Sequence, residues 1–196
     1  MGKTSKPKNL VNIADFGIKG ANYYWTRRER FGISDGELKS AGVFDGNAYV
    51  NRELVEPLRR ANEELKKQGI ELIVKDAHRT PGLYKLAQAK LYKAQGKEKT
   101  DQLLNMIRMP HSTGLAVDIG LMDIKTGQEL KMRDSKDDPE AYFIDYYRNK
   151  KDLQSREFQR LQNILISTMK SAGFCIGSKG EFWHFEWKKL AGNDKV

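Results

Sequence analysis

At 196 residues the chain fits one domain, and 39% hydrophobic residues with eight Tyr, eight Phe and three Trp exclude a disordered chain. No apolar run approaches the roughly 20 residues of a membrane span, and a lone cysteine, Cys175, excludes an internal disulfide and a cysteine-rich metal site. The net charge is +9, but Lys and Arg are scattered among 26 acidic residues with no Arg-rich tract; this speaks against nucleic acid and leaves an anionic polymer such as cell wall, or simply a solvated basic surface.

Residues 1–9 read as a flexible basic tail, and 10–196 as a single domain. The tail is basic like a signal n-region, but Asn12 and Asp15 break the segment that follows, so a cytoplasmic protein is expected. A helix is predicted over 51–68: Asn51 caps it, Leu54, Leu58, Ala61 and Leu65 form a stripe, and Gly69 stops it. Ile70, Leu72 and Val74 then alternate as one face of a strand that runs into Asp76-Ala77-His78-Arg79. Thr80 as cap and Pro81 at the first helical position open a helix ending near Gly96. A further helix fits 100–108.

A strand is predicted at 115–122, with a turn at Lys125-Thr126-Gly127 and a partner strand near 128–132. Residues 133–154 are rich in charge and Tyr without a clean period, so they are either functional or partly helical. A helix over 155–172 has Ser155 as cap, Phe158, Leu161, Leu165 and Met169 inward, and Gly173 as stop. Strands at 173–177 and 182–187 complete an α+β chain with a central antiparallel sheet and flanking helices.

The chain has three histidines, at 78, 111 and 184. His111 precedes the turn at Gly114, and Asp118 follows on the strand, sharing its face with the small Ala116 and Gly120. His184 shares a strand face with Phe182 and Glu186, and Glu181 lies just outside, beside Gly180. His111, Asp118 and His184 offer the nitrogen and oxygen donors that suit zinc and leave a fourth position open, while Glu181 is a spare carboxylate suited to a general base. Spacing by itself leaves a second reading open, in which both histidines are ordinary half-buried residues. No HExxH helix is present.

His111-Ser-Thr-Gly114-Leu-Ala116-Val-Asp118 followed by Glu181-Phe-Trp183-His184 resembles the signature of zinc D-Ala-D-Ala metallopeptidases. Three further segments are similar to the vancomycin-resistance-type D-alanyl-D-alanine dipeptidases of that group, in the same order: Tyr24-Trp-Thr26 leading to Phe31-Gly32, Asp76-Ala-His-Arg79-Thr-Pro81, and Thr126-Gly127 through Met132 to Asp137. The resemblance implies a Hedgehog/DD-peptidase-like zinc fold with one zinc per chain, held by His111, Asp118 and His184. It implies Glu181 as general base, Arg79 as oxyanion stabiliser oriented by Asp76, and Asp137 and Tyr24 as receivers of the substrate's ammonium. The implied partner is the D-Ala-D-Ala dipeptide or a peptidoglycan stem peptide. A carboxypeptidase or phage-type endolysin of the same family is the alternative, and a non-catalytic zinc module a third. The chain departs from the pattern at His78, Met109, Pro110, Arg133 and Lys136, positions that bear on the substrate rather than on the metal.

Overall fold

A computed structural model describes residues 9–134 and 139–187. Its elements run β1 (Leu10–Asn12), β2 (Lys19–Gly20), α1 (Tyr23–Thr26), α2 (Asp35–Ser40), β3 (Tyr49–Asn51), α3 (Val55–Lys66), β4 (Ile70–Asp76), α4 (Pro81–Gln95), α5 (Lys97–Leu103), β5 (Ala116–Asp123), α6 (Leu153–Ala172), β6 (Phe174–Ile176) and β7 (His184–Trp187). Among the described residues β1 pairs with β3, and a five-stranded sheet has the order β2-β4-β5-β7-β6. The α+β class read from the sequence holds. The chain divides into two compact units, Met1–Val55 with Val74–Val117, and Glu56–Ile73 with Asp118–Val196. The basic tail read at 1–9 lies outside the described residues except for Asn9.

The first unit is organised around α2 and α4. Tyr24, Ile33, Leu38, Val43, Leu83 and Ala87 form its apolar cluster. The close approach needs glycine at 82, where a Cβ would lie 2.9 Å from the Ala41 carbonyl oxygen. Thr80 caps α4 as expected, accepting from the Leu83 N–H, and its hydroxyl donates to the same Ala41 carbonyl. The helix predicted at 100–108 lies earlier, as α5. Gly96 (φ 84) ends α4 and starts α5 directly, and the Asn105 side chain accepts from the Ile107 and Arg108 N–H groups, which turns the chain where the helix was expected to continue.

In the second unit the stripe on α3 is buried as read, with Leu58, Ala61 and Leu65 at 1% exposure or less. The turn into α3 begins as a 3-10 segment, Arg52–Leu54, capped by Asn51. α6 buries Phe158, Leu161, Leu165 and Met169, but it starts at Leu153 with Asp152, not Ser155, as cap; the Asp152 carboxylate accepts from the Ser155 N–H at 2.8 Å. The strand expected near 128–132 is reduced to one bridge, Met122 with Glu129. Asp123 Oδ1 gathers the Thr126 N–H and hydroxyl into the turn, and the ladder closes with the Leu130 N–H on the Leu121 carbonyl. Within 133–154 the described part contains a 3-10 turn, Pro139–Tyr142.

β6 and β7 are antiparallel, with Cys175 opposite Glu186. β7 begins at His184, two residues later than predicted. Glu181 and Phe182 pair elsewhere: Glu181 bridges Phe143, and the Phe182 N–H donates to the Tyr142 carbonyl at 3.2 Å. Phe182 therefore does not share a strand face with His184, whereas Glu186 does.

Candidate metal centre

His111 lies in a 3-10 turn, Pro110–Thr113, closed by Gly114 in the left-handed conformation (φ 72). No other residue fits at 114, since a Cβ there would lie 2.5 Å from Leu10 Cδ2 and 2.9 Å from the Asn51 nitrogen. Met109 enters the turn at φ 44, a conformation that costs roughly 1–2 kcal/mol for a residue with a side chain. Several bonds hold the turn against that cost. The His111 N–H donates to the Tyr84 hydroxyl at 3.0 Å, and the His111 carbonyl accepts from the Arg79 N–H at 3.1 Å. His111 is 2% exposed, and its Nδ1 lies 2.8 Å from the Ala77 carbonyl oxygen. A carbonyl only accepts, so Nδ1 carries the proton and Nε2 keeps its lone pair for a metal.

The Asp76-Ala-His-Arg79 turn lies beside it. Asp76 is fully buried; its Oδ1 accepts from the Ala77 N–H and its Oδ2 from Arg79 Nε at 2.6 Å. Asp76, which the sequence reading assigns to orienting Arg79, is its ion-pair partner. The Arg79 guanidinium also stacks near Tyr24 and Tyr84, 5.4 and 5.5 Å from the ring centroids. Tyr24, read as a substrate contact, is 4% exposed and packs against Arg79. The His78 N–H donates to the Tyr49 carbonyl. Asp137, the other expected ammonium receiver, and Lys136 lie outside the described residues.

In the second unit Asp118 is half-buried on β5 between fully buried Val117 and Ile119. Its Oδ1 lies 2.8 Å from His184 Nδ1. His184 Nε2 faces Glu186 Oε1 at 3.4 Å. Burial works against a charged His184, but the hydrogen bonds to Asp118 and then Glu186, with the charges of Asp118 and Glu181, outweigh it and push the imidazole up to about 9. Glu181 is 8% exposed and precedes His184 by one turn, its carbonyl accepting from the His184 N–H at 3.3 Å. Trp183, between them, packs edge-on against Phe182 and Tyr142.

His111 in the first unit, and Asp118 and His184 in the second, each offer one donor atom that could hold a metal ion. Two imidazoles and one carboxylate form a borderline donor set with no thiolate, which fits zinc with an open coordination position. Sequence reasoning missed two residues here, Glu186 and Gly177. Strand alternation placed Glu186 on the His184 face but assigned it nothing. Gly177 carried no local signal: its role appears only as space, because a Cβ there would lie 2.1 Å from His184 Cδ2.

A family model described as D-Ala-D-Ala dipeptidase, peptidase M15, matches residues 46–196. A curated D-alanyl-D-alanine dipeptidase of Synechocystis sp. is 41% identical over 83 residues; the match takes in 39% of this chain and spans about a third, 33%, of that protein's length. Among solved structures, the LdcB LD-carboxypeptidase, whose structure bears on peptidoglycan recognition, superposes with a TM-score of 0.51 at 17% identity, over 97% of this chain and 76% of that one. This is a likeness of fold. A vancomycin-resistance D,D-pentapeptidase in complex with Zn(II) superposes with a TM-score of 0.48 at 14% identity, over 74% of this chain and 75% of that one.

Proposed function

Because the chain belongs to the D-Ala-D-Ala dipeptidase family, peptidase M15, we propose that it is a zinc-dependent peptidase that hydrolyses the dipeptide D-Ala-D-Ala to two D-alanines. The observation that carries this reading is that His111, Asp118 and His184 each offer a metal-ligating atom, with buried Glu181 one turn before His184. The name of the Synechocystis relative supports the choice of substrate. When bound, one zinc ion supplies Lewis acidity and makes water acidic enough to react near pH ~7.

The chain's own residues do the rest. The Glu181 carboxylate takes a proton from the attacking water and hands it to the leaving amine as the peptide bond breaks. Arg79, held by Asp76, faces the negative charge that develops on the carbonyl oxygen. Asp137 and Tyr24 receive the substrate's ammonium. An ammonium that pairs with a carboxylate loses that attraction when the amine is acylated. Free dipeptide is therefore preferred over blocked dipeptide.

The test is incubation of the zinc-loaded protein with D-Ala-D-Ala, N-acetyl-D-Ala-D-Ala and intact peptidoglycan, with chromatography of the products. Release of D-alanine from the free dipeptide, orders of magnitude faster than from the acetylated one, is expected. Asp137→Asn should erase most of that preference and leave zinc in place. Equal cleavage of both dipeptides, or stem fragments from peptidoglycan alone, moves the assignment to a carboxypeptidase or endolysin of the family. No D-alanine from any of the three overturns the hydrolytic reading.

A further inference from the structure

We infer that Glu186 is a positioning residue for the metal centre: its buried carboxylate faces Nε2 of His184 and orients the ring, leaving Nδ1, on the Asp118 side, as the nitrogen that would exchange its proton for the metal. The inference rests on the zinc reading above and deepens it. An imidazole binds a metal through one nitrogen, and the partner of its second nitrogen decides the tautomer and the ring's orientation. His111 has the Ala77 carbonyl in that role. For His184 the nitrogen near Asp118 Oδ1 is Nδ1, at 2.8 Å. The nitrogen left over, Nε2, lies 3.4 Å from Glu186 Oε1, within ion-pair distance.

Two further features hold that edge of the ring. Glu186 is 3% exposed and lies two residues along β7, on the same face as His184. A carboxylate this buried is costly unless a donor meets it, and the imidazole N–H is such a donor. Gly177 then supplies the space. An ideal Cβ at 177 would lie 2.1 Å from His184 Cδ2, 2.8 Å from Nε2 and 3.3 Å from Glu186 Oε1, so any side chain there displaces the ring edge and its carboxylate together. The Gly177 N–H donates to the His184 carbonyl at 3.0 Å, which pins the backbone of both residues. Glu186 is not itself grouped with the three donors. Its place is behind His184, as the acceptor that orients a ligand.

The experiment compares wild type with Glu186→Gln, Glu186→Asp and Gly177→Ala. Zinc affinity is measured by competition with a chromophoric chelator, the cobalt(II) form by its visible absorption, and the His184 tautomer by ¹⁵N chemical shifts in the zinc form. Glu186→Gln is nearly isosteric, so far-ultraviolet circular dichroism of the metal-free protein should match wild type. Its zinc affinity should fall about 10–100-fold, the usual effect of losing such an outer partner, with an altered cobalt spectrum. Glu186→Asp should recover part of the loss, and Gly177→Ala should shift the cobalt spectrum with Glu186 intact. Wild-type zinc affinity and cobalt spectrum in Glu186→Gln overturn the inference while leaving the zinc reading in place. Absence of zinc binding by the wild type overturns both.

Discussion

Arg79 is 12% exposed, and its Nε lies 2.6 Å from the carboxylate of Asp76, which has no exposed surface. Removing the cation leaves a buried charge unpaired, so Arg79→Ala should lower stability by roughly 3–5 kcal/mol as well as turnover by on the order of 10²–10³-fold. Arg79→Lys keeps the charge but loses the planar fork, and should recover stability better than turnover. Urea unfolding and kcat/KM on D-Ala-D-Ala separate the two; equal recovery of both in the lysine variant would contradict the oxyanion role. In the proposed function Glu181 differs from the donors because its part is proton transfer alone. Glu181→Ala should retain zinc by elemental analysis and lose about 10²–10⁴-fold in turnover, whereas His184→Ala should lose the zinc. An alanine variant at 181 that turns over at the wild-type rate rules out the general-base assignment.

The helices carry their own termination signals, and these can be tested away from the site. Asp152 caps α6 through the Ser155 N–H, so Asp152→Ala should cost about 0.5–2 kcal/mol in chemical denaturation. At the other end Gly173 holds φ 108, and a Cβ there would lie 3.0 Å from the Trp187 ring. Gly173→Ala should therefore destabilise by more than the roughly 1 kcal/mol that alanine gains at a compatible site. α2 begins with a reciprocal capping box between Ser34 and Glu37. The Lys90 ammonium, followed by the Ser34 N–H and hydroxyl, holds the Glu37 carboxyl down at about 2. A depressed carboxyl stabilises the fold above its unfolded value of 4.5 and loses that contribution as pH falls toward 2. Glu37→Gln should flatten the acid limb of the stability curve between those values by lowering its neutral end slightly, with stability near pH 2 unchanged, measured by thermal melts from pH 2 to 6; the change is small because the group is exposed.

For the molecule as a whole, a ligand that binds only the folded chain raises stability by mass action, about 2.7 kcal/mol at a concentration 100 times its Kd. Zinc should therefore raise the Tm of chelator-treated protein in a concentration-dependent way, and His184→Ala should abolish the increase; a zinc-independent Tm would speak against a site in the folded state. The amphipathic stripes of α3 and α6, the Thr80-Pro81 start of α4, the Gly69 and Gly173 stops and the alternation of β4 were all legible in the chain. Each depends on interactions within a few residues, where periodicity and capping chemistry are local. The two histidine segments stood out by residue type and spacing, and the roles in the Asp76–Arg79 turn were implied by the family resemblance. What lies far apart in sequence was not legible. The His184–Asp118 bond joins residues 66 positions apart, and the His111–Ala77 bond joins residues 34 apart. The start of β7, the packing of Tyr24 on Arg79, the acceptor role of Glu186 and the space kept by Gly177 all depend on which strand lies beside which and in what register. A one-residue slip would exchange the faces of a strand. The residue types and their local order thus determined which groups could do the chemistry, and only the packing of distant segments decided which nitrogen, which oxygen and which vacant Cβ position meet.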